Sequence, residues 1–364
     1  MEKIDPSHQV RPSMVFFLIH AMQIGVGIFG FQRGVAETAG YDSWISILVA
    51  LAFSHIILYL IFKIVDMNKG DLFDIHRYIF GKIFGTFFTL LFSVYILAVG
   101  VLTLRRYIEV VQVWVFKEIS TFALTVALLA IAFYAVMGGF RTIAGISFLS
   151  IILPAYLYLI FAFAIPYSDF SDFFPIFSHS FKNVFFAMCS ISISFLGYEQ
   201  LLVYSPYVQD IKRAKKWGHF ALFATGMIYL YLAVLSFAYY SEKQLEIIIW
   251  PTLSMWKIVK LSFIWRFEYI GISMWSLVIL PNVCLCLWTL SRMMKKTFSV
   301  KKIYAISFIT VLILLFTTQI QTREQIDSLV HIINVVGFSL ISVYIPLIFL
   351  LLFILKKVRK QHEL

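Results

Sequence analysis

The chain has 364 residues, of which 61% are apolar and 13% are charged, and its formal net charge is +11. Soluble domains average roughly 45 to 50% apolar and about 25% charged residues. The composition therefore excludes a soluble enzyme, a disordered regulator and a secreted disulfide scaffold. At roughly 20 residues per bilayer crossing plus a loop, the length allows about ten crossings. We expect one polytopic membrane domain over residues 1–364.

Ten apolar runs follow one another along the chain, each a candidate membrane span. Hydrocarbon offers no hydrogen-bond partners and the runs lack two-residue alternation, so helices are predicted rather than barrel strands. The predicted spans are 14–32, 44–65, 82–104, 121–138, 143–165, 184–204, 218–240, 268–290, 303–318 and 331–355. The predicted fold class is an all-α polytopic bundle.

Two polar segments between the spans are long enough to do more than connect them. Residues 67–80 mix apolar and charged side chains and are predicted to form a short interfacial helix. Residues 241–264 contain Trp250 and Trp256 and are followed by Trp265. Because tryptophan rings suit the headgroup region, an aromatic outer loop that anchors at the membrane surface is predicted.

The 30 Lys and Arg residues divide two to one between the alternate sides of these spans. This asymmetry favours an even number of spans with both termini in the cytoplasm, including a basic tail at 356–364. Since topology explains the positive charge, no nucleic-acid partner is expected. The first twelve residues lack a small-residue cleavage site, so the first span itself is expected to start membrane insertion.

The first span contains three glycines in six residues, Gly25, Gly27 and Gly30. Each glycine weakens a helix interior by roughly 1 kcal/mol relative to Ala. This stretch is therefore a candidate break, whose freed N–H and C=O groups would serve as ligands in a cavity. The alternative is close helix packing through small residues, and the first span alone does not decide between the two.

The sixth span suggests a matching break, because Gly197 and the carboxylate of Glu199 interrupt an apolar run. Gly27 and Gly197 each stand 13 residues after the start of their spans. Interrupted helices at corresponding positions, five spans apart, predict an inverted five-plus-five repeat, here about 12–165 and 184–355. The half-helix ends would present partial charges of both signs, which suits the two charged ends of an amino acid.

Five short motifs stand in order along the chain: Gly81-Lys82, Met137-Gly138-Gly139, Ile193-Ser194-Phe195-Leu196-Gly197 with Glu199, Ile249-Trp250-Pro251-Thr252-Leu253-Ser254, and Arg266-Phe267-Glu268. Together they resemble the spore germination permease family, over nearly the whole chain. Its members are the B-type subunits of endospore germinant receptors, a branch of the amino acid-polyamine-organocation (APC) transporter superfamily.

The resemblance implies a LeuT-like fold of ten transmembrane helices, the first and sixth broken, in the spore inner membrane. It also implies an A-type membrane subunit and a C-type lipoprotein as partners, and a small germinant, an amino acid, as ligand. Carried over position by position, it places ligand contacts on both broken segments and on the third and eighth helices. These residues are Gly25, Gly27, Gly30, Tyr95, Val99, Phe195, Leu196, Gly197 and Asn282.

Two of these assignments have alternatives. Tyr95 and Val99 lie four residues apart on one helical face, where lipid contact or packing would give the same pattern. Asn282 follows Pro281 and would also suit a hydrogen bond to the carbonyls that this proline frees.

Glu199 has three interpretations, because a carboxylate within a span costs several kcal/mol unless it is paired, hydrated or protonated. It would be a proton-coupling group, a gate partner, or a solvated residue near the cytoplasmic end of its span. His20 and Gln23 are candidates to reach the same cavity through water, whereas His55 is expected to be a packing residue. A surface position is expected for three charged residues at the outer end of the third span, Arg105, Arg106 and Glu109.

The chain has no phosphate-cradling loop, catalytic triad or cluster of metal ligands, so neither an enzyme nor a cofactor is expected. The three cysteines fall in apolar runs and suggest no disulfide framework. Three functions remain open for the same cavity: a ligand sensor that triggers germination, a proton-coupled amino-acid permease, and a ligand-gated conduit for water or ions. Sensor and permease differ in whether the ligand completes a transport cycle or only shifts a conformational equilibrium.

Overall fold

The structure is a computed structural model that describes residues 4–174, 176–259 and 266–362. Within these ranges all regular structure is helical, apart from one isolated parallel bridge between Val10 and Val208. The α-helices are α1 (Met14–Gln23), α2 (Phe31–Ala39), α3 (Ser43–Met67), α4 (Leu72–Trp114), α5 (Thr121–Met137), α6 (Phe140–Ile152), α7 (Tyr156–Ile160), α8 (Phe181–Ile191), α9 (Leu201–Tyr204), α10 (Ile211–Tyr239), α11 (Glu242–Ile247), α12 (Pro251–Met255), α13 (Phe267–Phe298), α14 (Lys302–Gln319), α15 (Arg323–Ser339) and α16 (Ile345–His362). Trp265, part of the predicted outer loop and the last two residues of the predicted tail lie outside the described residues.

Seven helical stretches of the described chain are long and apolar enough to cross a membrane. They are Phe31–Met67, Leu72–Trp114, Phe140–Tyr167, Ile211–Tyr239, Phe267–Phe298, Lys302–Gln319 and Arg323–Val358. A pair bent by 51°, Phe181–Phe195 with Tyr198–Tyr207, makes an eighth, and two shorter apolar helices, α1 and α5, lie at the first and fourth predicted spans. Helices thus stand at all ten predicted positions, and the protein is an all-helical integral membrane protein.

The third predicted span differs most from expectation. Gly81, with φ of 75°, turns the chain inside α4, so its first residues fold back along the rest of the helix. The close approach needs a second glycine, because a Cβ on Gly85 would lie 2.8 Å from the carbonyl carbon of His76. The short helix predicted within 67–80 is therefore the first arm of α4. The long arm continues to Trp114 rather than ending at 104.

An ion cluster joins the start of α4 to the end of α13. Asp71 caps α4 in a reciprocal capping box with Asp74. Lys296 Nζ lies 2.8 Å from Asp71 Oδ2 and 2.7 Å from Asp74 Oδ2, and Arg292 Nη2 lies 3.1 Å from Asp71 Oδ2. Since Asp71 is fully buried, the two cations offset the desolvation of its carboxylate.

The helices pack around α13, which runs along α4 and also contacts α5, α6 and α14. The two helices of the first predicted span have different neighbours: α1 packs on α6 and α10, whereas α2 packs on α8. Large apolar side chains such as Ile83, Tyr134 and Leu159 are mostly exposed on the outside of the bundle, as a lipid-facing surface requires. The interior left between α1, α4, α8 and α13 is where the two breaks meet.

The predicted anchoring role is wrong for Trp250 and Trp256. Trp256 is fully buried, and its ring centroid lies 5.5 Å from that of Phe29 and 6.0 Å from that of Trp275. Trp250 is also buried. This segment folds inward over the first break, so the rings pack in the protein interior and not in the headgroup region.

Candidate ligand cavity between two broken helices

A cavity of about 100 Å³ lies between the two interrupted helices. Most of the predicted site residues line it: Gly25, Gly27, Tyr95, Val99, Leu196, Gly197, Glu199 and Asn282. The wall also contains residues that were not predicted as ligand contacts: Met22, Gln23, Val26, Leu102, Thr103, Arg106, Ile193, Ser194, Tyr229 and Ile333. The cavity wall is therefore partly backbone, partly aliphatic and partly polar.

The first helix is interrupted immediately after Gln23. Ile24 and Gly25 adopt extended backbone, and a 3-10 turn, Val26–Phe29, leads into α2. Three carbonyl groups at the end of α1 accept hydrogen bonds from side chains of α10 and α13. These bonds run from Tyr229 Oη to Gln23 O (3.1 Å), from Asn282 Nδ2 to Ile24 O (3.5 Å) and from Trp275 Nε1 to Gly25 O (3.4 Å).

These side chains satisfy the carbonyls that a break inside hydrocarbon would otherwise leave without partners. Asn282 therefore bonds the carbonyl of another helix and not one freed by Pro281. The N–H groups at the start of the 3-10 turn are in a different situation. No described residue accepts a hydrogen bond from the N–H of Gly25, Val26 or Gly27, as is usual for the first turn of a helix.

Gly197 produces the second break, with φ of 114°, a conformation that favours glycine. It separates a 3-10 turn, Ser192–Phe195, from the following helical turn, and the two halves of this span are bent by 51°. A hydrogen bond from Gln23 Nε2 to Phe195 O (2.7 Å) connects the two breaks directly. Gln23 was expected to reach the cavity through water; it lines the cavity itself, and its amide contacts the second break directly.

Glu199 is 1% exposed and lies within the second break. Its Oε2 accepts from the N–H of Gly197 (2.6 Å), and its Oε1 accepts from the hydroxyl of Tyr95 (3.2 Å). Within the described chain no cation forms an ion pair with it. The interpretation of Glu199 as a solvated residue is therefore wrong. A carboxylate that is buried in a membrane protein and held by two neutral donors is typical of a functional residue.

One face of α4 forms a wall of the cavity, with Tyr95, Val99, Thr103 and Arg106 at helical spacing. The surface position expected for Arg106 is wrong, because α4 continues as helix beyond it and keeps it on the cavity face. Its guanidinium lies beside the first break: Nη1 would be 3.7 Å from a Cβ on Gly27. The stripe that contains Tyr95 and Val99, extended along the same helix, is the signal that would have found Arg106.

The neighbouring charges are not at the surface either. Arg105 is buried and donates to the carbonyls of Ile320 (2.6 Å) and Gln321 (2.9 Å). Glu109 is buried and accepts two hydrogen bonds from Nη1 of Arg323, at 3.1 and 3.0 Å. The two side chains therefore connect the C-terminal part of α4 to the turn between α14 and α15 and to the first residue of α15.

Gly30 and Phe195 do not line the cavity, which corrects two of the expected contacts. A Cβ on Gly30 would overlap the carbonyl oxygen of Ile249, so this glycine is required for close packing against the segment that contains Ile249. The ring of Phe195 is fully buried and packs on Tyr229, with centroids 5.9 Å apart. Only the main-chain carbonyl of Phe195 takes part in the junction of the two breaks.

The histidines of the first two spans lie away from the cavity. His20 Nδ1 bonds Thr225 Oγ1 at 2.7 Å, so it does not reach the site. His55 Nδ1 lies 2.8 Å from His219 Nδ1, with the rings stacked between α3 and α10. In the described ranges no group of three or more His, Cys, Asp or Glu side chains converges as a metal site would require.

Comparison with known proteins identifies the family. A family described as "Spore germination protein" matches residues 9–326. Spore germination protein GerQB of Bacillus cereus is 39% identical over 351 residues, covering 96% of this chain and 98% of that protein. Spore germination protein B2 of Bacillus subtilis (strain 168) is 24% identical over 252 residues, 68% of each chain.

Solved structures of transporters share the fold. A Na+-coupled sialic acid symporter in a substrate-bound outward-open state aligns with a TM-score of 0.64 and 12% identity, covering 91% of this chain and 77% of the symporter. MhsT in complex with L-phenylalanine aligns with a TM-score of 0.62 and 13% identity, covering 93% of this chain and 95% of MhsT. The fold is thus the LeuT-like fold of such transporters, and the chain belongs to the spore germination protein family.

Proposed function

We propose that this protein is the membrane subunit of a germinant receptor, and that it recognises a small nutrient germinant, an amino acid, in the cavity between the two broken helices. The observation that carries the proposal is the cavity itself, whose wall combines main-chain groups of two interrupted helices with buried polar side chains. The ligand contacts proposed are Gly25, Gly27, Tyr95, Val99, Leu196, Gly197 and Asn282. A protein of the same fold that holds L-phenylalanine lends support.

The finer architecture belongs to the same proposal. Ten helices cross the membrane as an inverted five-plus-five repeat, with both termini on the core side of the spore inner membrane. An A-type membrane subunit and a C-type lipoprotein complete the receptor, and the subunit acts by binding and not by catalysis. Ligand occupancy then shifts a conformational equilibrium that the other subunits detect.

Filling the cavity tests the proposal. Gly27 has room for a methyl group, since a Cβ would lie 3.7 Å from its nearest neighbour, but a leucine would extend into the ligand space. A side chain that occupies part of the ligand space should lower the affinity at least about tenfold, which corresponds to about 1.4 kcal/mol. Spores of a strain that lacks this gene, complemented with Gly27→Leu, should need correspondingly more amino acid to germinate. Gly27→Ala should change the response much less.

A matched control is available at Gly145, where a Cβ would meet nothing within 4 Å. Gly145→Leu adds the same atoms to a helix without touching the cavity, and its spores should respond like wild type. The measurement is germination against a panel of amino acids, with the protein level in the spore membrane determined in parallel. If Gly27→Leu is present at normal level with unchanged dose dependence, the cavity is not the recognition site.

A proton-coupled amino-acid permease is the second candidate, and the buried Glu199 favours it. A carboxylate without an ion-pair partner inside a membrane protein is a common element of proton relays. Uptake of labelled amino acid into proteoliposomes separates the two candidates. Accumulation driven by a proton gradient would support transport, whereas binding without accumulation would support the sensor.

A further inference from the structure

Two side-chain acceptors in the cavity wall have no donor. Gln23 Oε1 and Asn282 Oδ1 are both buried without a hydrogen bond from any described residue, and each residue is 3% exposed. The orientation of both amides is fixed by their other ends. The NH₂ group of Gln23 donates to Phe195 O and that of Asn282 to Ile24 O, and a reversed amide would place two oxygens against each other.

A buried acceptor without a donor is costly, and most buried polar groups have a partner. Because both residues line the cavity, their oxygens can accept hydrogen bonds from a ligand group that has several N–H donors. An ammonium group fits this description, since it has three donors and no acceptor.

Arg106 is a cationic donor in the cavity wall that has no acceptor in the described ranges. Within the described chain its guanidinium has no ion pair and no hydrogen bond, although it lines the cavity. Glu109, three residues further along α4, is already bound by Arg323. The adjacent Arg105 differs in this respect, because its guanidinium donates to two main-chain carbonyls.

More donors lie beside Arg106. The N–H groups of Gly25, Val26 and Gly27 have no acceptor among the described residues, and Arg106 Nη1 would be 3.7 Å from a Cβ on Gly27. A guanidinium next to free main-chain N–H groups at the start of a helical turn is suited to a carboxylate. The cavity wall thus contains donors at Gly27 and Arg106 and acceptors at Gln23 and Asn282.

We infer that Arg106 binds the carboxylate of an amino-acid ligand, together with the free N–H groups of Gly25 to Gly27, while Gln23 Oε1 and Asn282 Oδ1 accept from its ammonium group. This inference rests on the proposed function and defines the ligand further: it must carry both charged groups. An amine without the carboxylate, or an acid without the amine, leaves one set of wall groups unsatisfied and binds more weakly.

The test uses the purified full-length protein in lipid nanodiscs and the twenty protein amino acids as probes. For the amino acid that binds best, affinity is compared with that of the amine lacking its carboxylate and the acid lacking its amine. Wild type should bind the amino acid at least about tenfold more tightly than either analogue, as expected for loss of a hydrogen-bonded charge.

Arg106→Gln should weaken amino-acid binding at least about tenfold and leave binding of the amine nearly unchanged, so the preference for the carboxylate disappears. Arg106→Lys keeps the charge and should keep part of that preference. Asn282→Leu should reduce the preference for the amino acid over the acid that lacks the amine. Arg33→Gln is the charge-matched control, because Arg33 pairs with Glu37 at 3.0 Å away from the cavity, and it should retain both preferences.

The outcomes separate this inference from the proposed function. If wild type binds an amino acid and Arg106→Gln discriminates between that amino acid and its amine as wild type does, the assignment of Arg106 is overturned and the proposed function stands. If wild type binds none of the twenty amino acids, the proposed function fails, and this inference with it.

Discussion

Gly197→Ala should destabilise the protein severely, because the second break depends on a backbone conformation that alanine rarely adopts. A positive φ costs a residue with a Cβ about 1 to 2 kcal/mol. The new Cβ would also lie 2.5 Å from Cβ of Met22, and relieving that overlap moves the backbone of both broken helices, at about 1 to 3 kcal/mol. The expected total loss is about 2 to 5 kcal/mol, a large share of a typical folding free energy.

The assay is thermal unfolding of the full-length protein purified in detergent, with Gly145→Ala as the matched control. Gly145 lies within α6 in open space, so alanine there should stabilise the helix by up to about 1 kcal/mol. The two substitutions add the same methyl group and should shift the unfolding temperature in opposite directions. If Gly197→Ala unfolds at or above the temperature of wild type, the break at Gly197 is not formed as described.

Three further substitutions test other parts of the account. Tyr229→Phe removes the donor to the carbonyl of Gln23 (3.1 Å) and should lower the free energy of unfolding by about 1 to 3 kcal/mol. Its control, Tyr134→Phe on the exposed surface, should lower it by less than about 0.5 kcal/mol. Equal effects in thermal unfolding would contradict the role of the Tyr229 hydroxyl. Lys296→Gln leaves the buried aspartate at the start of α4 with one cation fewer and should cost about 3 kcal/mol, and an unaltered unfolding temperature would count against the ion cluster. Glu199→Gln should flatten the dependence of germination on pH, because an amide cannot take up or release the proton that this carboxylate is proposed to couple, and a dependence identical to wild type would remove that role.

The two breaks were predictable from the sequence because their causes are local. Glycines at 25, 27 and 197 weaken helices wherever they occur, and Glu199 is conspicuous in an apolar run. Their meeting point followed from the equal offsets of Gly27 and Gly197 within their spans. The all-helical fold was likewise set by composition, since a chain in hydrocarbon must satisfy its main chain internally.

Arg106 was missed because its surroundings in the sequence suggest a membrane surface. It stands beside Arg105 at the end of an apolar run, and a pair of arginines there normally marks an interface. The continuation of α4 to Trp114 keeps the residue on the cavity face, and Arg105 and Glu109 contact Ile320 and Arg323, more than 200 residues away in the sequence. Such long-range partners have no local sequence signal.

The prediction that Trp250 and Trp256 anchor at the membrane surface was wrong for a similar reason. A tryptophan-rich loop between two spans has the composition of an interfacial anchor. Burial of Trp256 against Phe29 and Trp275 requires the segment to fold inward, which the close approach of Ile249 to Gly30 allows. Helix breaks can be predicted from local sequence, here from glycines within apolar runs, whereas the packing of a segment over a break depends on tertiary contacts.

The most direct test of the central claim is an experimentally determined structure of the full-length protein with its amino acid bound. We expect density for the ligand between the first break and α4, with its carboxylate at Arg106 and Gly27 and its ammonium group at Gln23 and Asn282. Continuous first and sixth helices without a cavity between them, or a ligand bound elsewhere in the protein, would contradict the account.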